Sequence, residues 1–132
     1  MRKFILLMLL AAVSSSAMAE WAAVDAASDG TFTIYTDLAT MRKAGNRVKM
    51  WGLIDYKTAR NVFTNGMPYM SIKEQEEYDC KEEQTRTLYA DFKSGNMGAG
   101  EVVHIDSNPG KWAPIEPGST IESLWKIACG KQ

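Results

Sequence analysis

Apolar and polar residues alternate most cleanly between Arg47 and Lys57 (RVKMWGLIDYK). Val48, Met50, Ile54 and Tyr56 fall on one side and Arg47, Lys49, Asp55 and Lys57 on the other. A period of two marks a half-buried β-strand. Trp51 is out of phase with Val48 and Met50, so it projects from the opposite face. A second strand is predicted over Thr31–Asp37 (TFTIYTD), after an Asp29-Gly30 turn, and Ala44-Gly45-Asn46 separates the two. Thr85–Lys93 alternates again, placing Leu88, Ala90 and Phe92 on one face with Arg86. Glu101–Asp106 reads as a short strand around Val103 and Ile105. Ala59–Met67 reads as a connection with Asn65-Gly66 at its tip, and Met70–Ile72 begins a further strand. The segment Lys73–Gln84 is ambiguous. Its Glu, Gln and Lys content favours helix on intrinsic propensity, but its place between strands favours an extended element, the reading adopted here.

The last element has the helical period. Ile121, Leu124, Trp125 and Ala128 fall at i, i+3, i+4 and i+7, a stripe that requires an apolar partner surface. Ser119 caps it, Glu122 completes a capping box, and Gly130 ends it. Ser94–Gly100 is a flexible turn, and Asn108–Gly118 holds three of the four prolines, so it runs extended across the surface. Antiparallel strands, about five to six of them, followed by one C-terminal helix predict an α+β domain with the helix lying on or beside the sheet.

Met1–Ala19 changes the picture. A basic start (Arg2, Lys3), an apolar run from Phe4 to Val13 and the end Ala17-Met18-Ala19 read as a cleaved secretory signal. The run is shorter than the roughly 20 residues a bilayer span needs. The expected mature chain is one domain over residues 20–132, starting at Glu20. No cysteine follows the run, so a lipid-anchored N-terminus is not expected. The periplasm is the expected location, with the outer surface or the medium as alternatives. The signal holds two of the fifteen basic residues and none of the sixteen acidic ones, leaving a net charge of −3. That balance argues against non-specific nucleic-acid or anionic-membrane binding.

Cys80 and Cys129 are the only cysteines. Export and a spacing of 49 residues favour a structural disulfide over two free thiols or a catalytic pair, which usually takes the form C-x-x-C. Two cysteines and one histidine do not make a four-ligand zinc site, and no calcium-loop pattern is present, so neither metal nor other cofactor is expected. His104 reads as a partly exposed strand residue rather than a catalytic base. No nucleophile motif accompanies it, and the chain is read as non-enzymatic. The acidic run Glu74, Glu76, Glu77, Asp79, Glu82, Glu83 reads as a solvated strand face or edge. Arg86, placed beside Leu88 and Phe92, needs a carboxylate if its head is buried, and Asp79 or Glu77 across a hairpin is the candidate partner. Trp51, Lys49, Leu53, Tyr35 and Tyr89 form a candidate recognition patch. The competing reading covers that face with the N-terminal segment or with the partner of a homodimer.

One set of residues runs through nearly the whole mature chain: Trp21, Tyr35-Thr36-Asp37, and Val48-Lys49-Met50-Trp51 with Asp55-Tyr56. It continues through Ser71, Glu77-Tyr78-Asp79-Cys80, Arg86, Trp112 and Pro114. It closes with Pro117-Gly118-Ser119, Leu124-Trp125 and Ala128-Cys129. In these residues and their order the chain resembles the surface-adhesin protein E-like family of proteobacterial exported proteins. The resemblance implies an antiparallel sheet with a C-terminal helix, and that Cys80 and Cys129 are the pair tying helix to sheet. It further implies a non-enzymatic, protein-binding module of the cell envelope, with host matrix or plasma proteins as partners. The alternative is a soluble periplasmic accessory or structural protein with no host partner.

Overall fold

The computed structural model describes residues 19–131 except 65, so the expected signal, but for Ala19, lies outside the described residues. Seven strands form one antiparallel sheet: β1 (Ala22–Ala26), β2 (Phe32–Ala44), β3 (Arg47–Arg60), β4 (Tyr69–Asp79), β5 (Gln84–Lys93), β6 (Val102–Asp106) and β7 (Ala113–Pro114). The first six are neighbours in chain order, and β7 returns to pair with the start of β5. A 3₁₀ turn covers Asn96–Gly98, and helix α1 spans Thr120–Cys129. The expected α+β fold, an antiparallel sheet followed by a C-terminal helix, is present. The strands that the pattern did not name are β1 and the two-residue β7 within the proline-rich segment. The ambiguous segment is strand as far as Asp79, and residues 80–83 form the turn to β5.

Register decides what faces where. Ile34, Ile54, Ile72, Phe92 and His104 stand directly opposite one another across β2 to β6. The row below runs Thr36, Gly52, Glu74, Ala90, Asp106 on the same face. Gly52 carries no side chain because a Cβ there would approach the Tyr35 carbonyl oxygen at 3.3 Å. α1 lies across the β1–β4 part of this face. Leu124, Trp125 and Ala128 pack on Ile34, Val48, Met50 and Tyr78, with Val24, Phe32, Ile121 and Ile127 around them. A second apolar cluster, Tyr69, Ile72, Ala90 and Val103, sits towards β6 with Phe63 and Phe92.

The helix ends follow the predicted chemistry with one difference. The Ser119 hydroxyl accepts the Glu122 amide at 3.2 Å, while the Glu122 carboxylate accepts the amide of Gly118, not that of Ser119. Gly130 takes the left-handed conformation (φ 65°) and donates to the last turn. At that end a Cys80–Cys129 disulfide, Cα atoms 5.6 Å apart, joins α1 to the turn after β4. Trp125 Nε1 donates to the Asp79 carbonyl at 3.1 Å, one residue away, and Ser123 Oγ donates to Asp25 of β1 at 2.8 Å.

Two expectations are corrected. Arg86 does not share a face with Phe92. The pairing steps from Gln75↔Tyr89 to Glu76↔Thr87, so Leu88 is an extra residue in β5. A bulge of one residue inverts the facing of everything on its far side. Nor is the acidic run a solvated edge. β4 is an inner strand, and Glu76, Glu77 and Asp79 are buried; only Glu82 and Glu83, in the turn, are exposed.

Candidate functional site

On the face that α1 leaves uncovered, the row Asp37, Trp51, Gln75, Tyr89 crosses β2 to β5. Trp51 and Tyr89 meet edge to face with centroids 5.6 Å apart, and Lys73 Nζ lies 5.0 Å from the Trp51 ring centre. Such contacts attract through the ring quadrupoles, edge to face between the rings and cation to face at Trp51. Tyr35 stands in the next row, opposite Leu53, and like Trp51 and Tyr89 is half-buried. Lys49 is exposed on the same face, two residues before Trp51.

Leu53 is the correction to the predicted patch. It is fully buried, and Gly98 of the 3₁₀ turn lies over it. Residues 94–100 are fastened there by polar contacts. Ser71 Oγ donates to the Gly95 carbonyl at 2.6 Å and accepts the Gly98 amide at 2.9 Å, and Asp55 Oδ1 accepts the Met97 amide at 2.7 Å. Lys73 and Gln75 take the vacant place in the patch. The sequence reading missed them because their side chains are polar. Their odd-numbered positions opposite Leu53 and Trp51 carry the signal.

A pocket of about 250 Å³ adjoins this row, lined by Trp21, Asp37 and the exposed Leu38, among others. Asp37 accepts the amides of Glu20 and Ala39 there. At the opposite end of the face, Arg86 Nε and Nη2 both lie 2.8 Å from Glu77 Oε1. Trp112 stacks on this pair, with the guanidinium carbons of Arg86 and Arg47 at 4.7 and 5.1 Å from its ring centre. Of the two carboxylates proposed for Arg86, Glu77 is the one it holds. Asp79 instead accepts the amides of Lys81 and Glu82, which holds its pKa below the ordinary value, and lies 3.9 Å from Arg47.

A different environment occupies the helix-covered face. Glu74, Glu76, Thr85, Thr87, Lys111 and Ile121 are among the residues lining a pocket of about 300 Å³ between the apolar clusters. Thr87 donates to Glu76 Oε1, and the Thr85 hydroxyl lies 3.0 Å from Oε2. Burial, with the charge of Glu76 second, pushes Glu74 up to about 8. Burial also raises Glu76, against the pull of the two threonine hydroxyls. The two carboxyl groups can therefore retain a proton near neutrality. His104, exposed on β6, stacks on Phe63 with centroids 4.4 Å apart; its row, through Phe92 and Ile72, is next to that of Glu74, with β5 between their strands. Among the described residues, no group of three or more His, Cys, Asp or Glu side chains is placed to hold a metal ion. No helix among them is long and apolar enough to cross a membrane.

A family model described as surface-adhesin protein E matches residues 21–130. Among solved structures, protein E of Haemophilus influenzae is similar with a TM-score of 0.60 and 13% identity, over 81% of this chain and 88% of that one. Its second crystal form gives 0.62 and 13% over 85% and 97%. The selenomethionine form gives 0.56 and 15% over 86% and 95%. At such identities the likeness is one of fold. Comparison with curated protein sequences gives no match.

Proposed function

Because the chain belongs to the surface-adhesin protein E family, we propose that it is an exported, non-enzymatic binding module of the bacterial cell envelope. It takes protein partners on the sheet face opposite α1. The observation that carries this reading is the Trp51–Tyr89 pair with Lys73 over Trp51. Two half-buried aromatic rings and a cation stand on the sheet face opposite α1, between the turn at 94–100 over Leu53 and Trp112 over Arg86, with Glu20 and Trp21 at the Asp37 side. Aromatic anchors flanked by charge are what protein interfaces concentrate at their centres. Tyr35, Gln75 and Lys49 extend the surface, and the Trp21–Leu38 pocket offers a place for an apolar side chain of the partner.

The test is binding to immobilised host matrix and plasma proteins by surface plasmon resonance, using the chain from residue 20 onward. Trp51→Ala or Tyr89→Ala is expected to weaken binding at least about tenfold, the loss typical of an interface anchor, while the melting temperature shows the fold retained. Binding unchanged by either substitution would move the site elsewhere. Antigen that stays protease-resistant in intact cells and is released with the periplasm would replace the host partner with an envelope one.

A further inference from the structure

The net charge of the chain hides an uneven distribution. Between Leu38 and Ile54 there are four basic residues, Arg42, Lys43, Arg47 and Lys49, and no acidic one. All four are exposed, at the end of the β2–β3 hairpin. Register makes the cluster costly. Arg42 stands directly opposite Lys49, a like-charge cross-strand pair, and such pairs destabilise a sheet. The carboxylate on the far side of Lys49 is Glu77, whose Oε1 is occupied by two nitrogens of Arg86. Arg42 points its Nη1 at the carbonyls of Ala39 and Met41, which leaves its charge uncompensated. The covalent frame adds further cations. The Cys80 amide donates to the Asn46 carbonyl at 2.8 Å, and the disulfide draws Cys129 to Cys80, so exposed Lys81 and Lys131 come to this same end of the molecule. The acids nearby are exposed Glu82 and Glu83 in the β4–β5 turn, exposed Glu116 next to Ile115, whose amide donates to the Glu83 carbonyl, and buried Asp79, 3.9 Å from Arg47, so Arg42, Lys43 and Lys49 are the cations of the hairpin without a carboxylate at hand.

We propose that this hairpin end is a docking surface for a sulfated polysaccharide chain, a second contact beyond the aromatic face. Charge complementarity selects a polyanion, and placement selects its form. Arg42 and Lys49 share one face of the hairpin, whereas Lys43 pairs with Val48, whose face is the helix-covered one. Cations on both faces of a narrow tip suit a flexible linear chain that wraps it better than a flat anionic membrane. The tip from Met41 to Met50 carries no aromatic residue of its own, and the ring that meets it, Trp112, is taken up by Arg47 and Arg86, which leaves little stacking surface for single-stranded nucleic acid. Arg and Lys donors supply the contacts that sulfate groups accept.

The experiment is chromatography and calorimetry with heparin as the probe, on the disulfide-bonded chain from residue 20 onward. Heparin is expected to retain it beyond the salt at which phosphocellulose releases it. Reversing Arg42 and Lys43 (R42E, K43E), neither of them part of the aromatic face, is expected to weaken heparin binding at least about tenfold and to lower the salt slope by about one per cation removed. Lys57→Glu, on β3 at the far end of the sheet, controls for bulk charge and leaves retention unchanged. Equal retention on phosphocellulose, equal affinity for single-stranded DNA or for vesicles rich in anionic lipid, or equal loss in the Lys57 variant would reduce the effect to cation exchange and overturn the proposal. Trp51→Ala is expected to leave heparin binding intact, so this surface and the aromatic face stand or fall separately.

Discussion

Beneath α1, Ile34, Val48, Met50 and Tyr78 meet Leu124, Trp125 and Ala128. On the reverse face β3, β4 and β5 present Trp51, Glu77, Tyr89 and Arg86, held by an edge-to-face ring contact and an ion pair. The first arrangement removes apolar area from water and is closed by a covalent bond. The second leaves its rings half in water and fixes them through side-chain pairing. On the proposed function, stability and recognition are kept on separate faces. The covered face holds the fold, so the open face is free to carry side chains that pack imperfectly.

The comparison can be broken in order of expected effect. Trp125→Ala removes a buried indole and its hydrogen bond to Asp79, and should cost about 3–5 kcal/mol in chemical denaturation. A loss no larger than that of Trp51→Ala would erase the distinction between faces. Reducing Cys80–Cys129 opens a 49-residue loop and should cost up to about 4 kcal/mol on the chain-entropy account; unchanged melting with and without reductant would contradict it. Arg86→Ala leaves Glu77, 5% exposed, without its cation and should cost about 1–3 kcal/mol. Glu77→Gln should recover part of that loss in the double variant, as a cycle would measure.

The fourth prediction concerns pH. Folding raises Glu74 from the ordinary carboxylate range to about 8, so in between the folded chain binds a proton that the unfolded chain has lost. The resulting stabilisation is complete below about pH 4.5 and is lost as pH rises through about 8, with a slope approaching 1.4 kcal/mol per pH unit for one retained proton. Thermal melts from pH 5 to 8.5 should show this decline, and Glu74→Gln should flatten it. The groups around that proton are Glu76, Tyr78 and Lys111.

Much of the scaffold was legible. The stripe Ile121, Leu124, Trp125, Ala128 and the Ser119 cap marked α1, and the alternation from Val48 to Tyr56 marked both the strand and the opposite facing of Trp51. Facing failed at Arg86, where Leu88 looks like any strand residue and only pairing with Gln75 and Glu76 shows it to be an insertion. Polarity misled at Glu74–Asp79. Four acids in six residues suggest a surface, yet Thr85 and Thr87 with Arg86 and the turn amides supply the partners that allow most of them inside. Leu53 failed for a longer-range reason. The segment that covers it begins some forty residues later, and nothing near Leu53 announces it.

The sulfur bond between Cys80 and Cys129 encloses β5, β6, β7 and almost all of α1 in one ring, while β1, β2 and β3 lie outside it. A protease that cuts within the enclosed stretch, for instance at the exposed residues 107–111, yields two fragments that still migrate as one molecule until a thiol is added. A cut between β3 and β4, at residues 61–68, has no such tether, and only non-covalent strand pairing then keeps the halves together.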